Sequence, residues 1–167
     1  LALTTPLSEI AGLLRQLGAP RLFVELMVIA YRQIFILLDA FSQIRTAQAQ
    51  DDARNQFDEQ VEQYDRAHPD PRPVQPGRPQ PVPHAPARGE MVGRIQIPAI
   101  GVDKMFFEGV GLDVLANGPG HYEGTPLPGQ RGNAAIAGHR TTYGAPFNRI
   151  DELGGGDEII ISYFNGS

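Results

Sequence analysis

The chain has no cysteine among its 167 residues. That excludes a disulfide framework, and it excludes any thiol nucleophile within these residues. Lysine is nearly absent as well: Lys104 stands alone among fourteen basic side chains. The arginines are scattered, no basic stripe with interleaved aromatics exists, and the net charge is −5. Nucleic acid is therefore not an expected partner. Two catalytic signatures are also missing. No Gly-x-Ser-x-Gly elbow marks a serine hydrolase, and no Gly-x-x-x-x-Gly-Lys loop is present to cradle phosphate.

What is present divides into three stretches. In residues 1–44 the apolar run from Leu22 to Leu38 has fourteen apolar residues in seventeen, interrupted by Glu25, Arg32 and Gln33. Its length approaches the roughly 20 residues that span a bilayer. Charges inside such a span usually face protein rather than lipid. Glu25, Arg32 and Asp39 recur every seven residues and share one side of a helix. A helix of a polytopic membrane protein is expected, with a buried amphipathic helix of a soluble bundle as the alternative. Upstream, Thr4-Thr5-Pro6-Leu7-Ser8-Glu9 reads as a helix start, and Gly18-Ala19-Pro20 separates that helix from the apolar one. The run is too long for a signal peptide, and no small-residue cleavage site follows it.

Residues 45–88 read as a linker. Arg45 to Ala67 is polar, free of Gly and Pro, and expected to be a solvated helix. Pro69 to Pro86 places eight prolines in eighteen residues, which predicts an extended polyproline-like spacer. In residues 89–167, Met91–Ile97 and Asp157–Phe164 read as strands, with a short buried strand at Asn133–Ala137. Gly-rich and Pro-rich turns between them point to a barrel or sandwich. About eighty residues is thin for a barrel core, so an incomplete barrel is expected. The chain starts at Leu1 and stops at Ser167 in what reads as a strand running into a turn, so a fragment is expected.

Two histidines stand out, His121 in Gly-Pro-Gly-His-Tyr-Glu-Gly-Thr and His139 in Ala-Gly-His-Arg-Thr-Thr-Tyr-Gly. His139 follows an apolar run and precedes a turn-rich stretch, so a strand is expected to deliver it to the barrel rim. Imidazole there suits general acid–base work. A zinc site would draw on His121, Glu123 and His139, but the spacing is not that of a helical zinc motif and no further ligand is evident. No metal or cofactor is expected.

Several blocks carry a family resemblance. Gly93-Arg-Ile-Gln-Ile-Pro-Ala-Ile-Gly-Val-Asp103, Val110-Gly-Leu-Asp113, Gly118-Pro-Gly-His-Tyr122, Leu127-Pro-Gly-Gln130 and Ala137-Gly-His-Arg-Thr-Thr-Tyr-Gly144 occur in order. Together they resemble the sortase family, and its class E most. The resemblance implies an eight-stranded β-barrel and a cysteine transpeptidase that cleaves an LPxTG- or LAxTG-like sorting signal. An amine acceptor of the cell wall then resolves the thioester. It implies that His139 is catalytic and that Tyr122 lies near the substrate groove. It places the barrel outside the cell membrane. The family's cysteine and arginine follow later than Ser167, and Arg140 does not match that arginine. Residues 89–167 are thus expected to be the front part of a sortase domain, inactive alone.

The first fifty residues carry a second resemblance. Leu3-Thr-Thr-Pro6, Leu17-Gly-Ala-Pro-Arg21, Tyr31-Arg32, Phe35-Ile-Leu-Leu-Asp39 and Ile44-Arg-Thr-Ala47 resemble the transmembrane component of energy-coupling-factor cobalt transporters. In that family the residues after this span lie in the cytoplasm, whereas a sortase lies outside. Two explanations stand: a join of two gene pieces near residues 40–52, or one sortase with an unusual membrane anchor.

Overall fold

The computed structural model describes residues 5–69 and 86–164. The expected polyproline spacer lies almost wholly outside the described residues. Helix α1 spans Thr5–Gln16. Gly18, at φ +81°, takes the left-handed conformation that ends it. Helix α2 then runs from Arg21 to Ala67 without interruption. The chain divides into two units, Leu1–Phe41 and Ser42–Ser167.

In the first unit, Leu22, Phe23, Leu26 and Ile29 are all exposed. Among the described residues no helix is long and apolar enough to cross a membrane, so the structure does not support the membrane span expected in residues 1–44. The physical reason is charge. Glu25 and Arg32 interrupt the apolar run, Arg21 and Asp39 flank it, and Arg21 Nε donates to Glu25 Oε1 at 2.7 Å one turn along.

The second unit is an open five-stranded sheet with the last part of α2 against it. Its strands are β1 (Met91–Ile97), β2 (Val102–Glu108), β3 (Gly120–His121), β4 (Ile136–Ala137) and β5 (Ile160–Ser162). They lie in the order β4-β3-β2-β1-β5. Only β2 and β3 are parallel; the other neighbours are antiparallel. A 3-10 turn at Pro98–Ile100 and left-handed Gly101 join β1 to β2, and the short helix α3 (Leu112–Leu115) leads to β3.

Strand β2 sits at the centre of the sheet. Met105 and Phe106 point to opposite faces and are both fully buried. Phe106 belongs to a cluster with Ile95, Ile97, Leu127 and Phe147. Met105 and Phe107 belong to a second cluster with Ala53 and Phe57 of α2 and Val114 of α3. The expected solvated helix is therefore solvated on one side only. Thr46, Gln50, Ala53 and Phe57 form a buried stripe at spacings of four, three and four residues.

That stripe is polar where it meets the sheet backbone. Gln50 Oε1 accepts from the Met105 N–H at 2.8 Å, and its Nε2 donates to the Met105 and Asn117 carbonyls at 3.0 and 2.8 Å. The amide thus takes the place of a strand residue beside β2. Gly118 is required there, because a Cβ would fall 2.3 Å from Gln50 Nε2. On the same face Arg94 donates two hydrogen bonds to Asp103, at 2.7 and 2.6 Å, and Arg54 of α2 adds a contact at 3.5 Å. Those bonds from Arg94 hold the Asp103 carboxyl below its usual range against the opposing effect of burial.

Candidate active site

His139 lies two residues beyond β4, where the chain leaves the ladder and folds back. Its carbonyl accepts from the Phe147 N–H at 3.2 Å. Phe147 is core, and Gly138 packs so closely on it that a Cβ would lie 2.6 Å from the ring. Phe147 therefore anchors the loop at both ends, through its backbone N–H and its ring. Between them, Thr142 Oγ1 lies 3.1 Å from His139 Nδ1. The Tyr143 ring sits against the imidazole with centroids 4.8 Å apart and planes tilted by 46°. His139 Nε2 is buried and has no hydrogen-bond partner.

Three consecutive residues of this loop have positive φ: Tyr143 at +51°, Gly144 at +72° and Ala145 at +41°. For tyrosine and alanine that region is uncommon and carries strain. The Ala145 N–H donates to the Thr142 carbonyl at 2.9 Å and helps close the turn. Arg140 turns outward and pairs with Asp151 at 3.0 Å, both exposed.

Tyr122 follows β3. Its N–H donates to the Ala135 carbonyl at 2.9 Å, and its side chain is 45% exposed. The antiparallel ladder sets it beside Ala135, four residues before His139, or about 13 Å along an extended chain. The two expected site residues thus flank one strand pair without ring contact among the described residues.

His121 is almost completely buried, and Glu108, its cross-strand partner on β2, holds Nδ1 at 2.8 Å. Thr125 Oγ1 donates to the Tyr122 carbonyl at 2.8 Å, so its oxygen is the acceptor towards His121. His121 Nε2–H then donates to Thr125 Oγ1 at 2.9 Å and to the Pro126 carbonyl at 3.1 Å. Both ring nitrogens are engaged, and among the described residues no group of three His, Asp or Glu side chains is placed to hold a metal ion.

A cavity of about 480 Å³ opens elsewhere on this unit, lined in part by Gln56, Gln60, Glu90, Met91, Phe107 and Phe164. Neither His139 nor Tyr122 reaches it. Tyr163 borders it; burial pushes that phenol up to about 12, and its hydroxyl donates to the Pro128 carbonyl at 2.9 Å.

Sequence reasoning singled out His121 and His139 but not their partners. Glu108 stands thirteen residues from His121, and nothing in its local sequence marks it. Thr142 lies inside the Gly-His-Arg-Thr-Thr-Tyr-Gly block, and its spacing of three from His139 is the signal that the sequence offers.

The loop around His139 lies within a stretch with known relatives. Residues 95–167 match the sortase domain family. Sortase D of Bacillus subtilis (strain 168) is 35% identical over 80 residues, which is 47% of this chain and 39% of that protein. Among solved structures, sortase E from Streptomyces avermitilis is 42% identical with a TM-score of 0.45, covering 46% of this chain and 52% of its own. The sortase D5 transpeptidase of Clostridium perfringens is 31% identical with a TM-score of 0.49, covering 71% and 65%. The chain thus spans about two fifths of the curated relative and about half of the sortase E. At the other end, residues 1–50 match a family described as cobalt transport protein.

Proposed function

We propose that residues 89–167 are the front part of a sortase-type cysteine transpeptidase domain, class E-like, in which His139 moves the proton. The observation that carries this is the imidazole itself. Its Nε2 is buried and unpartnered, and the loop that holds it lies inside the stretch matched by the sortase family. In this reading a thiolate, which these 167 residues do not contain, attacks the Thr–Gly bond of an LPxTG- or LAxTG-like sorting signal. The C–N bond breaks and a thioester forms. His139 Nε2 gives a proton to the leaving amine, and an amine of the cell wall attacks the thioester and releases the thiol. Tyr122, exposed at the end of β3, contacts the signal peptide. The reading puts this part of the chain on the outer face of the cell membrane.

Activity assays test it directly. The 167-residue chain should leave a fluorogenic LPxTG or LAxTG peptide uncut, since it has no thiol. The chain extended along its reading frame should cut one of them, and His139→Ala should lower kcat/KM by about 100-fold or more. An extended chain without a cysteine, or a fully active His139→Ala enzyme, would end this reading.

A second reading belongs to residues 1–50, as a piece of the transmembrane component of a cobalt transporter. The family match over those residues favours it. Amplifying genomic DNA across codons 40–52 tests whether the two pieces form one gene: an unbroken product supports a single protein, and its absence supports a join.

A further inference from the structure

We infer that Thr142 is a positioning residue that keeps the proton of neutral His139 on Nδ1 and leaves Nε2 as the open end of the ring. This rests on the reading of His139 as the proton-transfer group. Neutral imidazole carries one N–H and one bare nitrogen, and their neighbours decide which is which. Nδ1 faces the Thr142 hydroxyl at 3.1 Å. Nε2 faces no polar partner and is shut away from solvent. A buried N–H without an acceptor is among the rarest arrangements in proteins, while an under-used lone pair is tolerated more often. The proton therefore sits on Nδ1 and is donated to Thr142 Oγ1.

The surrounding geometry serves the same end. The Tyr143 ring limits rotation of the imidazole from one side. The left-handed run from Tyr143 to Ala145 turns the chain back after Thr142, so that the Ala145 N–H reaches the Thr142 carbonyl and the Phe147 N–H reaches the His139 carbonyl. Strain at Tyr143 and Ala145 is held by the core-bound Phe147 and the Thr142 turn. A hydroxyl suits this position because the Nδ1–H···O bond persists when Nε2 gains a proton. The ring then keeps one orientation through both halves of a proton-transfer cycle.

The tautomer of His139 can be read from imidazole nitrogen shifts in long-range ¹H–¹⁵N spectra of the 167-residue chain above neutral pH. Nδ1–H should predominate in the parent chain. Thr142→Val should raise the share of Nε2–H, and Thr142→Ser should restore the parent ratio, with amide spectra showing the fold of each. A parent chain in the Nε2–H form overturns the inference whatever the variants do, as does a Thr142→Val ratio equal to that of the parent. The two readings fail separately. The Nδ1–H form with an active His139→Ala enzyme would leave Thr142 positioning a histidine that does not catalyse.

Discussion

Gln50 shows how one side chain ties α2 to the sheet. Its primary amide presents a carbonyl and an N–H, the same pair that a neighbouring strand would offer, and it spends them on Met105 and Asn117. Met105 is wholly buried, so water cannot replace the amide if it is lost. Gln50→Ala leaves a buried donor and buried acceptors unpaired and should cost roughly 2–3 kcal/mol in urea unfolding. Gln50→Glu keeps the acceptor, and loses less only where its carboxyl stays protonated. A loss below about 0.5 kcal/mol for the alanine variant would show that the amide is dispensable. None of this was legible in the sequence. Gln50 stands in a run of polar residues with no apolar stripe strong enough to announce a buried face, and its partners lie more than fifty positions away. The loop that holds His139 was legible as a block for the opposite reason: the side chains that touch the ring, Thr142 and Tyr143, are also its neighbours in sequence.

At the scale of elements, legibility followed the pattern of burial. Strand β1 matches the stretch expected from sequence, because from Gly93 onward it alternates between a core face and a half-buried one. Strand β2 gave no such alternation, since its last four residues are buried on both faces at the centre of the sheet. Strand β3 is shorter still, and its parallel pairing with β2 rests on two residue pairs, Phe107 with Gly120 and Glu108 with His121. So short a ladder contributes few backbone bonds, and the buried Glu108–His121 contact fastens it. The same imidazole fixes the Tyr122–Pro126 turn through Thr125 and the Pro126 carbonyl. Glu108→Ala removes one partner of a buried pair and should destabilise the unit by about 3 kcal/mol, whereas Glu108→Gln, which keeps a hydrogen-bonding group, should cost about 1 kcal/mol. Hydrogen exchange gives the local readout. The Tyr122 amide, bonded to Ala135, should lose protection in the alanine variant. Unchanged protection would mean that β3 stands without the pair.

For the whole molecule, the division between helix and sheet is not where composition changes. By composition the natural cut falls after the prolines, near residue 88, and the sheet would then begin at Gly89. The folded unit begins at Ser42 instead. Ala53 and Phe57 complete the cluster around Met105 and Phe107, while Thr46 Oγ1 donates to the Ala116 carbonyl at 2.8 Å. A chain of residues 42–167 keeps all of these contacts. A chain of residues 89–167 loses them and exposes one face of β2 to water. Removing a buried phenylalanine such as Phe57 from its site typically costs about 3–5 kcal/mol, a large fraction of the stability of a small domain. Residues 42–167 should therefore unfold in one cooperative transition, with far-ultraviolet dichroism showing both helix and strand. Residues 89–167 should bind a hydrophobic dye and melt without a transition. Removal of residues 1–41 should also reduce self-association, because Leu22, Phe23, Leu26 and Ile29 go with them. If residues 89–167 unfold as cooperatively as 42–167, the buried stripe of α2 is an accessory to the sheet and not part of its core.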